Sequence, residues 1–286
     1  MKITIVKACS DLGVKVCGSD KGPLAINKFD NIVDKVKTIK KDNIEKELDA
    51  NNKKRNIKYV NKFNEELYNY IIKDNNFIIT LGGDHSIAIG SDLASAYKHK
   101  KSGIFWIDAH SDYHNMDSTI TGNIHGMPLC SITGQNSDDL SFFHKGQFIS
   151  PLHTVIIGAR DIEAPELINL EKAGVTVFTT EDIKKYGVET IMKKAYDIVK
   201  DCNSLHISYD LDVIDPSVAP GVSVSAINGI NEEEAYLITD EIIKRIDLLK
   251  SFDLVEYNPD TDIYNKTLNI ANNILEKIIN EIKKQP

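Results

Sequence analysis

The 286-residue chain is long enough to bury a sizeable core, and its 42% hydrophobic and 27% charged side chains are in the usual range for a globular protein. A net charge of -8 and a pI near 5.5 give no electrostatic reason to expect nucleic acid or an anionic membrane as partner. No 18 consecutive residues are apolar, and Cys9, Cys17, Cys130 and Cys202 form no CxxC pair. Neither export, membrane insertion, a zinc knuckle nor a disulfide framework is indicated, and a cytoplasmic setting is expected.

In chain order, short β-rich runs alternate with helical patterns. The spacing predicts strands over 2–8, 77–83, 103–110, 153–160, 175–180, 205–212 and 252–258. It predicts helices near 63–73, 87–99, 182–200, 232–248 and 263–284. The last is the clearest, with Leu268, Ala271, Leu275, Ile278, Ile279 and Ile282 at helical spacing. The polar stretch 35–56 reads as a solvated helix or loop, and no linker divides the chain, so one domain over 1–286 is expected. Strands alternating with helices predict an α/β fold whose mostly parallel sheet is covered on both faces. No glycine-rich phosphate motif follows a strand, so nucleotide binding has no motif behind it.

In an open parallel sheet, ligands bind beyond the carboxyl ends of the strands. The unusual residues fall there: Asp84 and His85 after the 77–83 run, Asp108, His110 and Asp112 at the end of the next, then Asp210 and Asp212, then Glu256. Alternation along a strand places 108, 110 and 112 on one side, and likewise 210 and 212. Crowded carboxylates with no nearby Lys or Arg repel one another and are costly to desolvate, a problem that cations relieve. Asp108, Asp112, Asp210 and Asp212 supply four negative charges that two divalent ions would neutralise, and His85 and His110 each add one neutral nitrogen. Oxygen-rich ligation with some imidazole and no thiolate points to Mn²⁺ ahead of Zn²⁺ or copper, with Co²⁺, Ni²⁺ and Fe²⁺ also compatible. Two such ions would hold a bridging water and lower its pKa, which supplies a hydroxide nucleophile without Ser or Cys. Singly, a GGDH turn also suits a strand-to-helix turn and a DxD pair a helix cap; their convergence at one sheet edge is what marks a site.

The segments "GSDKGPLAI" (18–26), "LGGDHSIAIG" (81–90), "IDAHSD" (107–112), "GNIHGMP" (122–128), "IGARD" (157–161), "SYDLDVIDPSVAPGVS" (208–223) and "VEYNPDTDIYNKT" (255–267) together resemble the ureohydrolases, the arginase, agmatinase and formiminoglutamase family, most closely its bacterial arginases. The resemblance implies a three-layer αβα sandwich, two Mn²⁺ per chain and hydrolysis of a C–N bond in a small guanidino or amidino substrate by a homo-oligomer, a trimer or hexamer. It places His85, Asp108, His110, Asp112, Asp210 and Asp212 at metal-ligand positions, with Asp108 also catalytic. It assigns His125 to proton shuttling, which suits an imidazole. Glu256 falls where the family orients the guanidinium by accepting two N–H bonds.

The departures concern substrate recognition. The resemblance implies an α-carboxylate clamp at positions 114, 119 and 121, here His114, Thr119 and Thr121, and an acid for the α-amino group at Glu163. His114 stands where arginases carry Asn, Glu163 where they carry Asp, and Val224 where a Thr hydroxyl lies near the guanidinium. Arginine and agmatine are the expected substrate types, giving urea and an amine through the bridging hydroxide. Formiminoglutamate hydrolysis and a non-catalytic metal-binding role are the alternatives. His99, His144, His153 and His206 match no motif and read as surface or packing residues.

Overall fold

A computed structural model describes residues 1–286 except 44, 50, 51, 137, 138, 142 and 147. Among the described residues, eight strands form one sheet: β1 (Ile3–Cys9), β2 (Lys35–Lys40), β3 (Phe77–Gly82), β4 (Ser102–Ile107), β5 (Thr154–Ala159), β6 (Thr176–Thr179), β7 (Ser204–Asp210) and β8 (Leu249–Val255). Their order is β2-β1-β3-β8-β7-β4-β5-β6, and every pairing is parallel. The register sets Leu81 opposite Leu254, Asp210 opposite Val255 and Ile107 opposite Tyr209, so the central strands β3, β8, β7 and β4 end at one level.

Side-chain alternation divides the core in two. Ile3, Ile5, Phe105, Ile107, Ile207 and Tyr209 face one layer, which a short α1 (Gly22–Ala25) edges and which α6 (Thr180–Tyr186), α7 (Val188–Ile198), α8 (Glu232–Ile243) and α9 (Lys266–Lys284) cover. Val6, Ala8, Ile104, Trp106 and Ile156 face the other, covered by α2 (Ile57–Ile71), α3 (Ala88–Lys98), α4 (Pro128–Ile132) and α5 (Ala164–Ala173). This is the expected three-layer αβα sandwich, and strands buried on both faces explain the near-continuous apolar runs. Among the described residues, no helix is long and apolar enough to cross a membrane.

Three local expectations change. The stretch 35–56 contains β2, an edge strand in which Ile39 alone is buried, so its Lys-rich sequence conceals an extended segment paired to β1 on one side. Positions 44, 50 and 51 of that stretch lie outside the described residues. The helix expected over 182–200 is two, α6 and α7, divided by Gly187 at φ 81°. α5 was not expected, although Pro165 in its first turn and Gly174 at its C-cap (φ 79°) are ordinary helix-boundary residues.

Candidate metal centre and substrate cavity

The site is built where the four central strands stop, and turns do more of the work than strand alternation. β4 ends at Ile107, before Asp108, so the shared side of Asp108, His110 and Asp112 does not come from pleating. Asp108 N–H donates to Ile157 O at 3.0 Å, His110 N–H donates to Asp108 Oδ1 at 2.6 Å, and Asp112 adopts the left-handed region at φ 50°. β7 ends at Asp210, whose carboxylate accepts from Asp212 N–H at 2.8 Å and caps the turn Leu211–Val213. His85 opens the turn His85–Ile87, capped by Asp84 through Ser86 N–H at 2.9 Å. Glu256, just after β8, is also left-handed at φ 66°, and its N–H donates to Gly83 O at 2.8 Å. Such φ values in non-glycine residues cost energy, and their clustering here fits a site whose side chains must turn back toward one point.

His85 Nδ1 lies 3.0 Å from Asp108 Oδ2, 3.2 Å from Asp112 Oδ2 and 3.1 Å from Asp210 Oδ2. His110 Nδ1 lies 3.0 Å from Asp212 Oδ2 and 3.5 Å from Asp108 Oδ1. Two groups of potential ligands result, His85–Asp108–Asp210 and Asp108–His110–Asp212, with Asp108 common to both. Asp112 completes the cluster beside His85.

The electrostatics are those of a site short of positive charge. Burial, reinforced by Asp108, pushes the Asp112 carboxyl up to about 7. Burial with Asp212 and Asp108 raises Asp210 well above the carboxylate range. Burial opposes ionisation of Asp108 too, but His110 and His85 outweigh it and hold that carboxyl well below the usual range. Burial would lower the His85 pKa, yet Asp108, Asp112 and Asp210 raise it well above the ordinary imidazole value.

His85 Nδ1 and Asp108 Oδ2 are buried without a hydrogen-bond partner. Buried polar atoms are rarely left so, and donors about 3 Å apart have the spacing of neighbouring ligands on one small cation. The residues therefore fit two divalent ions. His85 Nε2 bonds Ser208 Oγ at 2.9 Å and its ring stacks on Trp106 with centroids 3.9 Å apart, which aims Nδ1 at the carboxylates.

The cluster opens into a cavity of about 180 Å³ lined by His110, His114, Thr121, Asn123, His125 and Glu163, among others. Thr119 is not on its wall: it is buried, with its hydroxyl oxygen accepting from Gly122 N–H at 3.0 Å. His114 is also largely buried, with Nε2 3.1 Å from Glu163 Oε2 and Nδ1 3.1 Å from Ser118 Oγ. Glu256 sits behind the wall, accepting from His85 N–H at 2.8 Å and facing His125 Nδ1 at 3.0 Å through the same Oε1, while its Oε2 is buried without a partner. Burial would lower the His125 pKa, but Glu256 outweighs it and the net shift is upward.

Asn123, Asp161 and Glu166 also line the cavity and were not anticipated, although each lies in or near a quoted motif. His206, read as a surface or packing residue, is instead fully buried in an ion cluster with Asp92 and Asp253.

Comparison with known proteins agrees with this geometry. The family model described as the arginase family matches residues 1–280. The chain is 32% identical over 289 residues to an arginase of Bacillus subtilis, covering 97% of each chain. The crystal structure of Entamoeba histolytica arginase in complex with L-ornithine superposes with a TM-score of 0.90 at 29% identity, covering 97% of this chain and 98% of that one. That of Bacillus cereus arginase gives 0.88 at 30% identity, covering 97% of each.

Proposed function

The chain belongs to the arginase family of metal-dependent hydrolases, and from that membership we propose that it holds two Mn²⁺ and hydrolyses a guanidino compound, arginine before agmatine, to urea and an amine. The observation that carries the reading is Asp108, shared between two imidazole-carboxylate groups and left with a buried, unpartnered Oδ2. His85, Asp108, Asp112 and Asp210 would hold one ion, and Asp108, His110 and Asp212 the other. When bound, the two cations neutralise the carboxylates and acidify water for attack on the guanidinium carbon.

The chain's own residues do the rest. Glu256 holds His125 through Oε1, and its unpartnered Oε2, behind the wall, would accept a guanidinium N–H only from a substrate that reaches past the His125 ring. His125 is the group placed to deliver a proton to the departing amine as the C–N bond breaks, and the Glu256 carboxylate keeps its imidazole readily protonated. Water oxygen thus ends on urea and the proton on the alkylamine. Glu163 faces the cavity as an acceptor for a substrate amino group.

Urea release from arginine and agmatine, and glutamate release from formiminoglutamate, measured on Mn²⁺-loaded protein with its metal content, test this. Two Mn²⁺ per chain with urea from arginine is the expected result. Glutamate without urea would replace it with the formiminoglutamase reading, and no product from any substrate would favour a non-catalytic role.

A further inference from the structure

Arg55 comes from the polar stretch preceding α2, far in sequence from every motif quoted above, yet it is 3% exposed. A guanidinium has donors only, and desolvating it lowers its pKa, although Glu47 and Asp49 act in the opposite direction. Such a group stays buried only where its donors are well used. Here they go to one segment of the cavity wall: Nη1 donates to Thr121 O at 2.5 Å and Nη2 donates to Asn123 Oδ1. Gly122, between the two, sits at φ 67°, and a Cβ there would come within 2.7 Å of Arg55 Nη1. The turn is therefore shaped to receive the guanidinium.

This contact decides what the wall offers to a ligand. Because Arg55 cannot accept, the Asn123 atom facing it must be the amide oxygen, which leaves the two N–H donors of Nδ2 as the end available to the cavity that Asn123 lines. Thr121 Oγ1 accepts from Asn123 N–H at 3.2 Å, so its own hydroxyl proton points elsewhere and is available to the cavity it also lines. The same lining carries the acids Asp161, Glu163 and Glu166. Donors and acceptors thus share one lining, which matches a zwitterionic amino-acid head group better than a bare cationic tail.

We propose that Arg55 is a specificity-determining positioning residue: by fixing the Asn123 amide and the Thr121 carbonyl, it turns N–H and O–H donors toward the cavity and selects ligands that carry a carboxylate. This rests on the reading of the cavity as a guanidino-substrate site, but it is testable without turnover.

The experiment is calorimetric binding of ornithine and putrescine, which differ only by the carboxylate, to Mn²⁺-loaded wild type, Arg55→Met and Asn123→Asp, with thermal melting as a folding control. Wild type is expected to prefer ornithine by about 10-fold or more, the increment of one or two hydrogen bonds to a charged group. Arg55→Met should remove most of that preference and leave putrescine binding within about twofold. Asn123→Asp keeps a partner for Arg55 but presents an oxygen, and should invert the preference. A wild type without preference, or an Arg55→Met protein that weakens both ligands equally, overturns the proposal. With turnover, the same variant should raise KM for arginine while leaving kcat unchanged. Selective ornithine binding without urea from any guanidine would sink the hydrolase reading and leave the role of Arg55 standing.

Discussion

Two buried clusters of imidazole and carboxylate lie on one face of β7, roughly 13 Å apart by strand rise, and they have opposite character. His206 Nε2 contacts Asp92 Oδ1 directly and lies 3.5 Å from Asp253 Oδ2, while its Nδ1 meets Ser251 Oγ at 2.7 Å. Ser91 donates to Asp253, and Ser95 Oγ lies 2.5 Å from Ser251 Oγ. Asp92, His206 and Asp253 are also close enough together to hold an ion, but the ring touches the Asp92 carboxylate directly, so a proton can supply the counter-charge here. Burial alone would lower the His206 pKa, but Asp92 and Asp253 overcome this and raise it to about 10. Around His85 and Asp108 the donors instead stand 3.0 to 3.5 Å apart, four carboxylates share two imidazoles, and a cavity opens onto them. The same residue types therefore tie α3 to β7 and β8 in one place and prepare a cation site in the other. Spacing and access make the difference.

The sharpest break of this comparison is at Asp108, which belongs to both metal groups. Asp108→Asn should abolish stoichiometric binding of both ions and lower urea release by roughly 10³-fold or more, beyond the 10–100-fold typical of residues that merely support ligands. Metal analysis and initial rates check it, and full retention of two ions would contradict the assignment. His206→Asn should do the reverse. Two carboxylates lose their buried counter-charge, so denaturant unfolding should show a loss of about 3–5 kcal/mol, while protein that remains folded still binds two Mn²⁺.

Ser208 lies between the clusters on the same strand face. Ser208→Ala leaves His85 without the bond that orients it, and titration should show one of the two ions weakened 10- to 100-fold with the other unchanged.

The smallest effect expected is in pH dependence. Asp112, raised to about 7, takes up a proton as pH falls, so Mn²⁺ affinity should drop at least about tenfold per unit below that value. His206 behaves oppositely: with its folded pKa raised above the unfolded one, its contribution to stability is fully present below about 6.5 and is lost as pH rises through about 10. Melting of wild type against His206→Asn across that range isolates the second effect, and Mn²⁺ titration from pH 6 to 8 the first.

Much of the molecule was legible beforehand. Apolar runs of five or six residues with helical patterns between them announce a parallel sheet covered on both faces, because strands buried on two sides leave few positions for polar residues. Acids and imidazoles directly after four such runs announce the metal cluster, because carboxylates are not brought to one buried edge without a counter-charge. His206, Ser208 and Asp210 share one face of β7, but that His206 would meet Asp92 was not legible, since the partner comes from α3.

The sequence by itself thus determined the fold class, the family, and the gathering of acids and imidazoles at one sheet edge, because apolar runs and the residues that follow them are local features. Tertiary structure alone decided the rest. It set Asp108, His110 and Asp112 on a turn instead of a strand face, through a left-handed Asp112 that no period encodes. It placed Glu256 behind His125, and it carried Arg55 from a stretch that reads as solvated to the back of the cavity wall. These contacts join residues 66 to 131 positions apart, and their energetics depend on what each polar group finds when water is removed.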